Sequence, residues 1–249
     1  MNLRSAVMLE HVSKRFGTGP RSVAALTDVS LRIPSGEYLS VMGQSGSGKS
    51  TLLNLIAGLE VPTSGRVVVD GRDLWALSEN ARSDVRLWHI GIVFQNFNLF
   101  PNLTVDENVS WRLEFQGVGA RQARAKASRV LEEVGIEPGA HGRLPGEMSG
   151  GEQQRAAIAR ALVTEPRLLL ADEPTGNLDS RTGETILNLL RQLNTERSLT
   201  VVMVTHSAYA ASYGHRTIEL RDGRIERDVQ ARPTAAQEVR PREVPPETA

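Results

Sequence analysis

The chain has 249 residues, 40% of them hydrophobic, so it can bury a sizeable core as one large domain or as a domain with a subdomain. Its 29 basic residues equal its 29 acidic residues, so the net charge indicates neither a nucleic-acid partner nor binding to an anionic membrane. The lack of cysteine excludes disulfides and thiolate metal sites, and no apolar run reaches the roughly 18 residues of a membrane-spanning helix, so we expect any membrane role to come through a partner chain.

Short strands and turns are expected in residues 6–41. Residues 7–9 are apolar, residues 14–20 are predicted to form a turn, and residues 29–33 alternate with period two. Phe16 falls in the predicted turn. Its ring could stack on an adenine base, or it could simply cap a small sheet.

A glycine-rich segment at residues 43–51 fits the phosphate-binding pattern G-x-x-x-x-G-K-[ST]. A strand-like stretch precedes it and an apolar helical stretch follows, which favours a phosphate loop over an ordinary turn. Its glycines allow a tight turn whose N–H groups point at phosphate oxygens, and Lys49 can reach the β- and γ-phosphates. The Ser50 hydroxyl can ligate Mg²⁺. The predicted phosphate-binding residues are Gly43, Gln44, Ser45, Gly46, Ser47, Gly48, Lys49, Ser50 and Thr51.

A second apolar strand at residues 90–94 ends at Gln95, whose amide can ligate Mg²⁺ or orient water. Three of the five phenylalanines stand at positions 94, 97 and 100. Such a loop could present an apolar patch to a partner, or it could face the core.

Helices are predicted near residues 104–115, 120–134 and 152–163, as an insertion in an α/β domain. Ser149, Gly150 and Gly151 open the last helix, where unpaired N–H groups make an anion site. Because this segment has no lysine, it resembles half of a phosphate site. A plain helix cap is the alternative.

Polar side chains follow two further apolar strands. Asp172 and Glu173 end the strand at residues 168–171, at the sheet edge where open α/β sheets bind ligands. We expect Asp172 to hold Mg²⁺ through water and Glu173 to orient or deprotonate the attacking water, although two such acids could also cap a helix. His206 ends the next strand and is expected to sense the γ-phosphate, with a structural role as the alternative.

Taken in order, these motifs resemble an ATP-binding-cassette (ABC) transporter ATPase over roughly residues 6–226. The resemblance implies a P-loop NTPase (RecA-like) α/β core with an N-terminal antiparallel β-subdomain and an inserted α-helical subdomain. It divides the chain into a core at 1–94 and 162–228, a helical signature subdomain at 95–161, and a tail at 229–249. The tail has almost no apolar residues, so we expect it to be disordered.

The resemblance also implies roles, with ATP and Mg²⁺ as cofactors. The ATP-binding residues would be those of the phosphate loop together with Phe16, Ser149, Gly150, Gly151 and Asp179. The catalytic residues would be Glu173, His206 and Lys49, and the Mg²⁺ ligands would be Ser50, Gln95 and Asp172. Two positions depart from the family pattern: Phe16 stands where tyrosine is commoner, and Ser207 stands where an aspartate commonly follows the histidine.

Within the family, the motifs look most like the lipoprotein-release, macrolide-export and cell-division group. That implies an ATP-dependent head-to-tail homodimer that drives a separate transmembrane permease or mechanotransmission subunit, docked near Phe97 and Phe100. The chain would lie at the cytoplasmic face of the inner (plasma) membrane, with no nucleic acid bound. The alternatives are a regulatory or scaffolding ATPase of the cell-division type, which transports nothing, and a soluble ATPase of DNA repair or translation.

Overall fold

The computed structural model describes residues 5–230. Within this range the strands are β1 Ser5–Phe16, β2 Val23–Pro34, β3 Tyr38–Met42, β4 Ser64–Val69, β5 Arg72–Asp73, β6 Ile90–Val93, β7 Leu168–Asp172, β8 Thr200–Thr205, β9 Arg216–Arg221 and β10 Arg224–Gln230. The α-helices are α1 Lys49–Ile56, α2 Glu79–His89, α3 Val105–Phe115, α4 Ala120–Glu133, α5 Gly150–Leu162, α6 Ser180–Arg197 and α7 Ala208–Ala211.

A six-stranded sheet in the order β10-β9-β3-β8-β7-β6 forms the centre of the fold, and it is parallel except for the β9–β10 pair. Every residue of β8 is buried, as expected for a parallel strand with both faces covered. The register pairs Met42 with Thr205 and Asp172 with Val204. The loops that follow β3, β6, β7 and β8 therefore emerge at one edge of the sheet, where such sheets bind ligands.

A second, antiparallel sheet has the order β2-β1-β4-β5. The predicted turn at residues 14–20 is wrong in its first part, because β1 continues to Phe16, which pairs with Val23. Irregularities between Leu9 and Val12 and again near Lys14 interrupt the alternation of β1, which conceals the strand in the sequence.

All three inserted helices lie within two residues of their predicted ends, and the largest difference is at α5, which begins at Gly150. Two capping boxes fix their starts: Thr104 pairs with Glu107 at α3, and Ser149 pairs with Glu152 at α5. The predicted boundary between residues 161 and 162 falls in the last turn of α5. Helix α2 was not expected.

Two apolar clusters lie on opposite faces of the central sheet. One contains the inward faces of α3 to α6, and the other contains α1 and the antiparallel sheet. The fold is thus the expected α/β core with a β-subdomain and a helical insertion. The predicted tail begins at least two residues too early, since β10 includes Val229 and Gln230. The rest of the predicted tail lies outside the described residues.

Among the described helices, none combines the length and the apolar character that crossing a membrane requires.

Candidate active site

The phosphate loop joins β3 to α1, and its tight turn depends on glycine. Gly48 has φ 105°, and a Cβ at this position would collide with the carbonyl oxygen of Ala25. Lys49 begins α1 and is only 7% exposed, and its Nζ donates to the carbonyl oxygens of Gly43 and Gln44, both at 2.8 Å. The loop thus holds a buried ammonium group close to its own backbone, beside a helix N-terminus that favours anions.

A cavity of about 300 Å³ lies over this loop and brings several predicted residues together. Its lining consists of Ala25, Ser45, Gly46, Gly48, Lys49, Ser50, Thr51, Glu173 and His206. A larger cavity of about 680 Å³ lies at the amino ends of β7 and β8 and contains none of the predicted site residues. The chemistry of the lining, and not its size, therefore identifies the candidate site.

Two of the three predicted magnesium ligands, Ser50 and Asp172, contact each other, although the lining of the cavity includes Ser50 and neither Asp172 nor Gln95. Ser50 Oγ donates to Asp172 Oδ1 at 3.4 Å. Burial raises the pKa of the Asp172 carboxyl, and the nearby charge of Glu173 adds to this rise, whereas the Ser50 hydrogen bond and Lys49 lower it.

Within residues 5–230 no three His, Cys, Asp or Glu side chains cluster as a metal site. The contact between Ser50 and Asp172 supplies only part of a coordination shell. This fits Mg²⁺, which proteins commonly bind through one or two side chains together with substrate phosphates and water.

Glu173 and His206 form a hydrogen-bonded pair, with His206 Nδ1 2.8 Å from Glu173 Oε2. Glu173 has φ 46°, a left-handed conformation that is uncommon for a non-glycine residue and occurs where the surroundings impose it, often at functional sites. Its N–H donates to the carbonyl oxygen of Val204 at 3.0 Å, which fixes the backbone at this turn. The carboxylate is thereby held beside the phosphate loop, where it can accept a proton from water.

Ser207 stands where the family pattern commonly has an aspartate, and it holds this turn through two hydrogen bonds. Its side chain caps α7 by accepting from the N–H of Ala210 at 3.3 Å, and its own N–H donates to Thr205 Oγ1 at 3.0 Å. Serine is as effective a cap as aspartate. The departure therefore leaves the backbone next to His206 anchored on both sides.

The predicted half-site at the start of α5 lies apart from the phosphate cavity, whose lining contains none of its residues. Glu152 Oε2 accepts from the Oγ of Ser149 at 2.7 Å and from its N–H at 2.8 Å, and these bonds lower the pKa of the Glu152 carboxyl. Gly151 must be small, because a Cβ there would lie 2.5 Å from Thr182 Cγ2 on α6. Residues 149–151 thus form a capped helix start outside the cavity over this chain's own phosphate loop, and anion binding there stays a prediction.

Asp179 caps α6 by accepting from the N–H groups of Arg181 and Thr182 at 3.1 and 3.0 Å. The side chain of Thr182, followed by these N–H groups, lowers the pKa of the Asp179 carboxyl. It shares a cavity of about 220 Å³ with Glu173 and His206. Phe16 is 42% exposed, and Lys14 Nζ lies 4.7 Å from the centre of its ring. The exposed ring therefore remains accessible to a flat ligand.

The sequence does not reveal which residues hold the loop after β6 in place. Arg160 of α5 donates to the carbonyl oxygens of Phe97 and Asn98, and both residues have positive φ. Asn177, in the turn after β7, bonds to Gln95 and Asn96. In the sequence Asn177 is only a polar turn residue, and no local signal reveals its partners.

Comparison with known proteins identifies the family of this chain. The family described as ABC transporter matches residues 26–176. The ABC transporter ATP-binding protein YtrE of Bacillus subtilis (strain 168) is 45% identical over 219 residues, covering 86% of this chain and 94% of that protein. The macrolide export ATP-binding/permease protein MacB of Mannheimia succiniciproducens is 40% identical over 227 residues, which are 91% of this chain but 35% of MacB. These names favour a transporter subunit over the regulatory and soluble alternatives.

A solved structure shares the whole fold. The dimeric, post-hydrolysis ATP-binding cassette MJ0796 of Methanocaldococcus jannaschii, bound to ADP and Pi, has a TM-score of 0.84 at 44% identity, covering 92% of this chain and 100% of that one. The chain thus carries its phosphate loop, its paired carboxylates, its histidine and its helix start on a cassette fold. The chain belongs to the ABC transporter family, as an ATP-binding subunit that hydrolyses ATP with Mg²⁺.

Proposed function

We propose that two copies of this chain close head to tail on two molecules of MgATP, and that closure drives a separate transmembrane partner that exports or extracts a substrate. Two solved structures of MJ0796 are dimeric, and MacB is an ATP-binding/permease protein. The observation that carries the proposal is the division of the phosphate-binding groups between two places in the chain.

The first of these places holds Lys49, Ser50, Glu173 and His206 around one cavity. The second is the start of α5, a helix of 13 residues, where Ser149 supplies a hydroxyl and the helix supplies N–H groups. Helix N-termini bind anions because of their free N–H groups and the helix dipole. A second copy that placed its α5 over the cavity would complete the phosphate contacts.

Roles follow from the chemistry of each group. In each site we assign phosphate binding to Lys49, to the amides of residues 43–51 and to residues 149–151 of the other copy, and adenine stacking to Phe16. Mg²⁺, held by Ser50, Gln95 and Asp172, would neutralise phosphate charge. Glu173 takes the proton of the attacking water, while His206 holds the Glu173 carboxylate and senses the γ-phosphate. Asp179 lies at the same sheet edge, where we expect it to face the other copy.

ATP then stabilises the closed dimer because it contacts both copies, and hydrolysis removes that differential binding.

The proposed docking surface for the partner is a groove of about 350 Å³ between α2, the loop after β6 and α3. Phe94 and Phe100 line it beside Trp111, which stacks edge-to-face with Phe100 and with Phe115. Phe97 does not line this groove, so Phe100 carries more of the proposed docking than Phe97.

The groove also carries positive charge. Arg112 and Arg160 line it, and both donate to backbone carbonyl oxygens. Burial lowers the pKa of both guanidinium groups, and that of Arg160 falls to about 10. An apolar partner segment that carries a carboxylate fits this surface best. Such a partner would hold the chain at the cytoplasmic face of the inner membrane.

The test uses the Glu173→Gln protein, in which we expect bound ATP to persist. We expect this variant to form a dimer with ATP on size-exclusion chromatography. Adding Ser149→Arg should keep ATP binding, measured with a fluorescent ATP analogue, and abolish the dimer. Ser64→Arg, at the exposed start of β4, is the control and should leave the dimer intact. An ATP-dependent dimer that forms equally well with Ser149→Arg contradicts the proposal.

A further inference from the structure

Two neighbouring loops at the carboxyl edge of the sheet are joined by their side chains. Gln95 lies two residues beyond β6 and Asn177 lies five residues beyond β7, and these strands pair in parallel. Gln95 Nε2 donates to Asn177 Oδ1 at 3.2 Å. In return, Asn177 Nδ2 donates to the backbone oxygen of Gln95 at 3.1 Å and to Asn96 Oδ1 at 2.8 Å. Three hydrogen bonds thus connect one exposed asparagine to the loop of a predicted magnesium ligand.

This network settles which way the Gln95 amide faces. A backbone carbonyl oxygen can only accept, so the Asn177 atom beside it must be the amide nitrogen. The other terminal atom of Asn177 is then the oxygen, and the Gln95 atom that contacts it must be Nε2. Gln95 Oε1 consequently points away from Asn177 and is the one amide atom that can ligate a cation.

The backbone reinforces this orientation. A Cβ at Gly176 would lie 2.8 Å from Gln95 Nε2 and 3.1 Å from its Cδ, so the amide packs directly against the Gly176 backbone. The terminal torsion of a glutamine side chain is otherwise soft and admits both amide orientations. Removing the Asn177 side chain would therefore leave the amide close to its place but free to turn over.

We propose that Asn177 is a positioning residue that presents the carbonyl oxygen of Gln95, and not its NH₂ group, to the magnesium ion bound with ATP. A turned amide would aim N–H groups at a cation and lose the ligand. Asn177 itself acts only through Gln95. The inference rests on the proposed role of Gln95 as a ligand and is independent of dimer closure and docking.

The experiment measures metal affinity directly, in the Glu173→Gln protein loaded with ATP, by electron paramagnetic resonance of added Mn²⁺. We expect Asn177→Ala to raise the half-saturating Mn²⁺ concentration about tenfold, the lower end of the range for residues that orient metal ligands. Gln95→Ala should raise it at least as much. Combining the two should cause no further loss, because Asn177 works through Gln95. Asn188→Ala, on an exposed position of α6, should change nothing.

A second readout uses the protein with Glu173 intact. Asn177→Ala should raise the Mg²⁺ concentration needed for half-maximal hydrolysis and leave kcat at saturating Mg²⁺ nearly unchanged. A merely structural role would instead lower kcat or the melting temperature without shifting the metal dependence.

The outcomes are distinct. If Gln95→Ala weakens Mn²⁺ binding and Asn177→Ala does not, the positioning role is overturned while the ligand role of Gln95 stands. If the two losses add in full, Asn177 acts by another route and the proposal is equally wrong. If Gln95→Ala has no effect, the ligand assignment itself fails, and the inference falls with it.

Discussion

Replacing Glu173 by glutamine tests the chemistry of the site with the smallest change of shape. Glutamine keeps the length of the side chain and an oxygen that can accept from His206 Nδ1, which lies 2.8 Å from Glu173 Oε2. It cannot take a proton from water. General base catalysis contributes roughly 10²- to 10⁴-fold to a rate, so we expect turnover to fall by that factor, or by about 3–5 kcal/mol of barrier. ATP binding should persist, because the phosphate contacts come from the loop and Lys49.

The assay is steady-state phosphate release at saturating MgATP, paired with equilibrium ATP binding. Glu184→Gln is the matched control: this exposed carboxylate on α6 lines the neighbouring 220 Å³ cavity without bonding to His206 and should leave the rate unchanged. Hydrolysis near the normal rate in Glu173→Gln would show that another group is the base. Loss of ATP binding would show that Glu173 holds the nucleotide.

Two further predictions concern the groove and the buried carboxylate. Phe100→Ala should keep basal ATP hydrolysis and weaken co-sedimentation with membranes that contain the partner. Loss of folding would instead show that Phe100 serves the core. Val61→Ala, at an exposed position, is the control. Without nucleotide at pH 7, the Asp172→Asn protein should be at least as stable as the unaltered protein. Burial raises the pKa of the Asp172 carboxyl in the folded state, so stability falls as the pH rises through that raised pKa. The neutral amide of asparagine avoids this loss. Its melting temperature should gain little from MgATP, and a full gain would argue against Asp172 as a ligand.

The parts that sequence predicted well are those with a local cause. The phosphate loop follows from glycine and lysine at fixed spacing, and β7 and β8 follow from unbroken apolar runs that are buried on both faces. The starts of α3 and α5 follow from Thr104 and Ser149 with a glutamate three residues later.

The parts that sequence missed depend on tertiary neighbours. Helix α2 has only Val85 buried, so it lacks the apolar stripe that reveals a helix. The bond between Gln95 and Asn177 joins residues 82 positions apart and exists only because β6 lies next to β7. The groove likewise gathers α2, a loop and α3, which no spacing in the sequence connects.

Polar groups that we assign to nucleotide and metal already have partners within the chain. Lys49 donates to Gly43 and Gln44, Ser149 to Glu152, and Ser50 to Asp172. Binding ATP is then an exchange of hydrogen bonds, and each exchange contributes only about 0.5–1.5 kcal/mol net, or somewhat more where a charge is involved. No single contact can hold two copies together, so closure needs the sum over both sites. Losing the γ-phosphate contacts in either site would remove several such terms at once, and we expect this loss to reopen the proposed dimer without unfolding either copy.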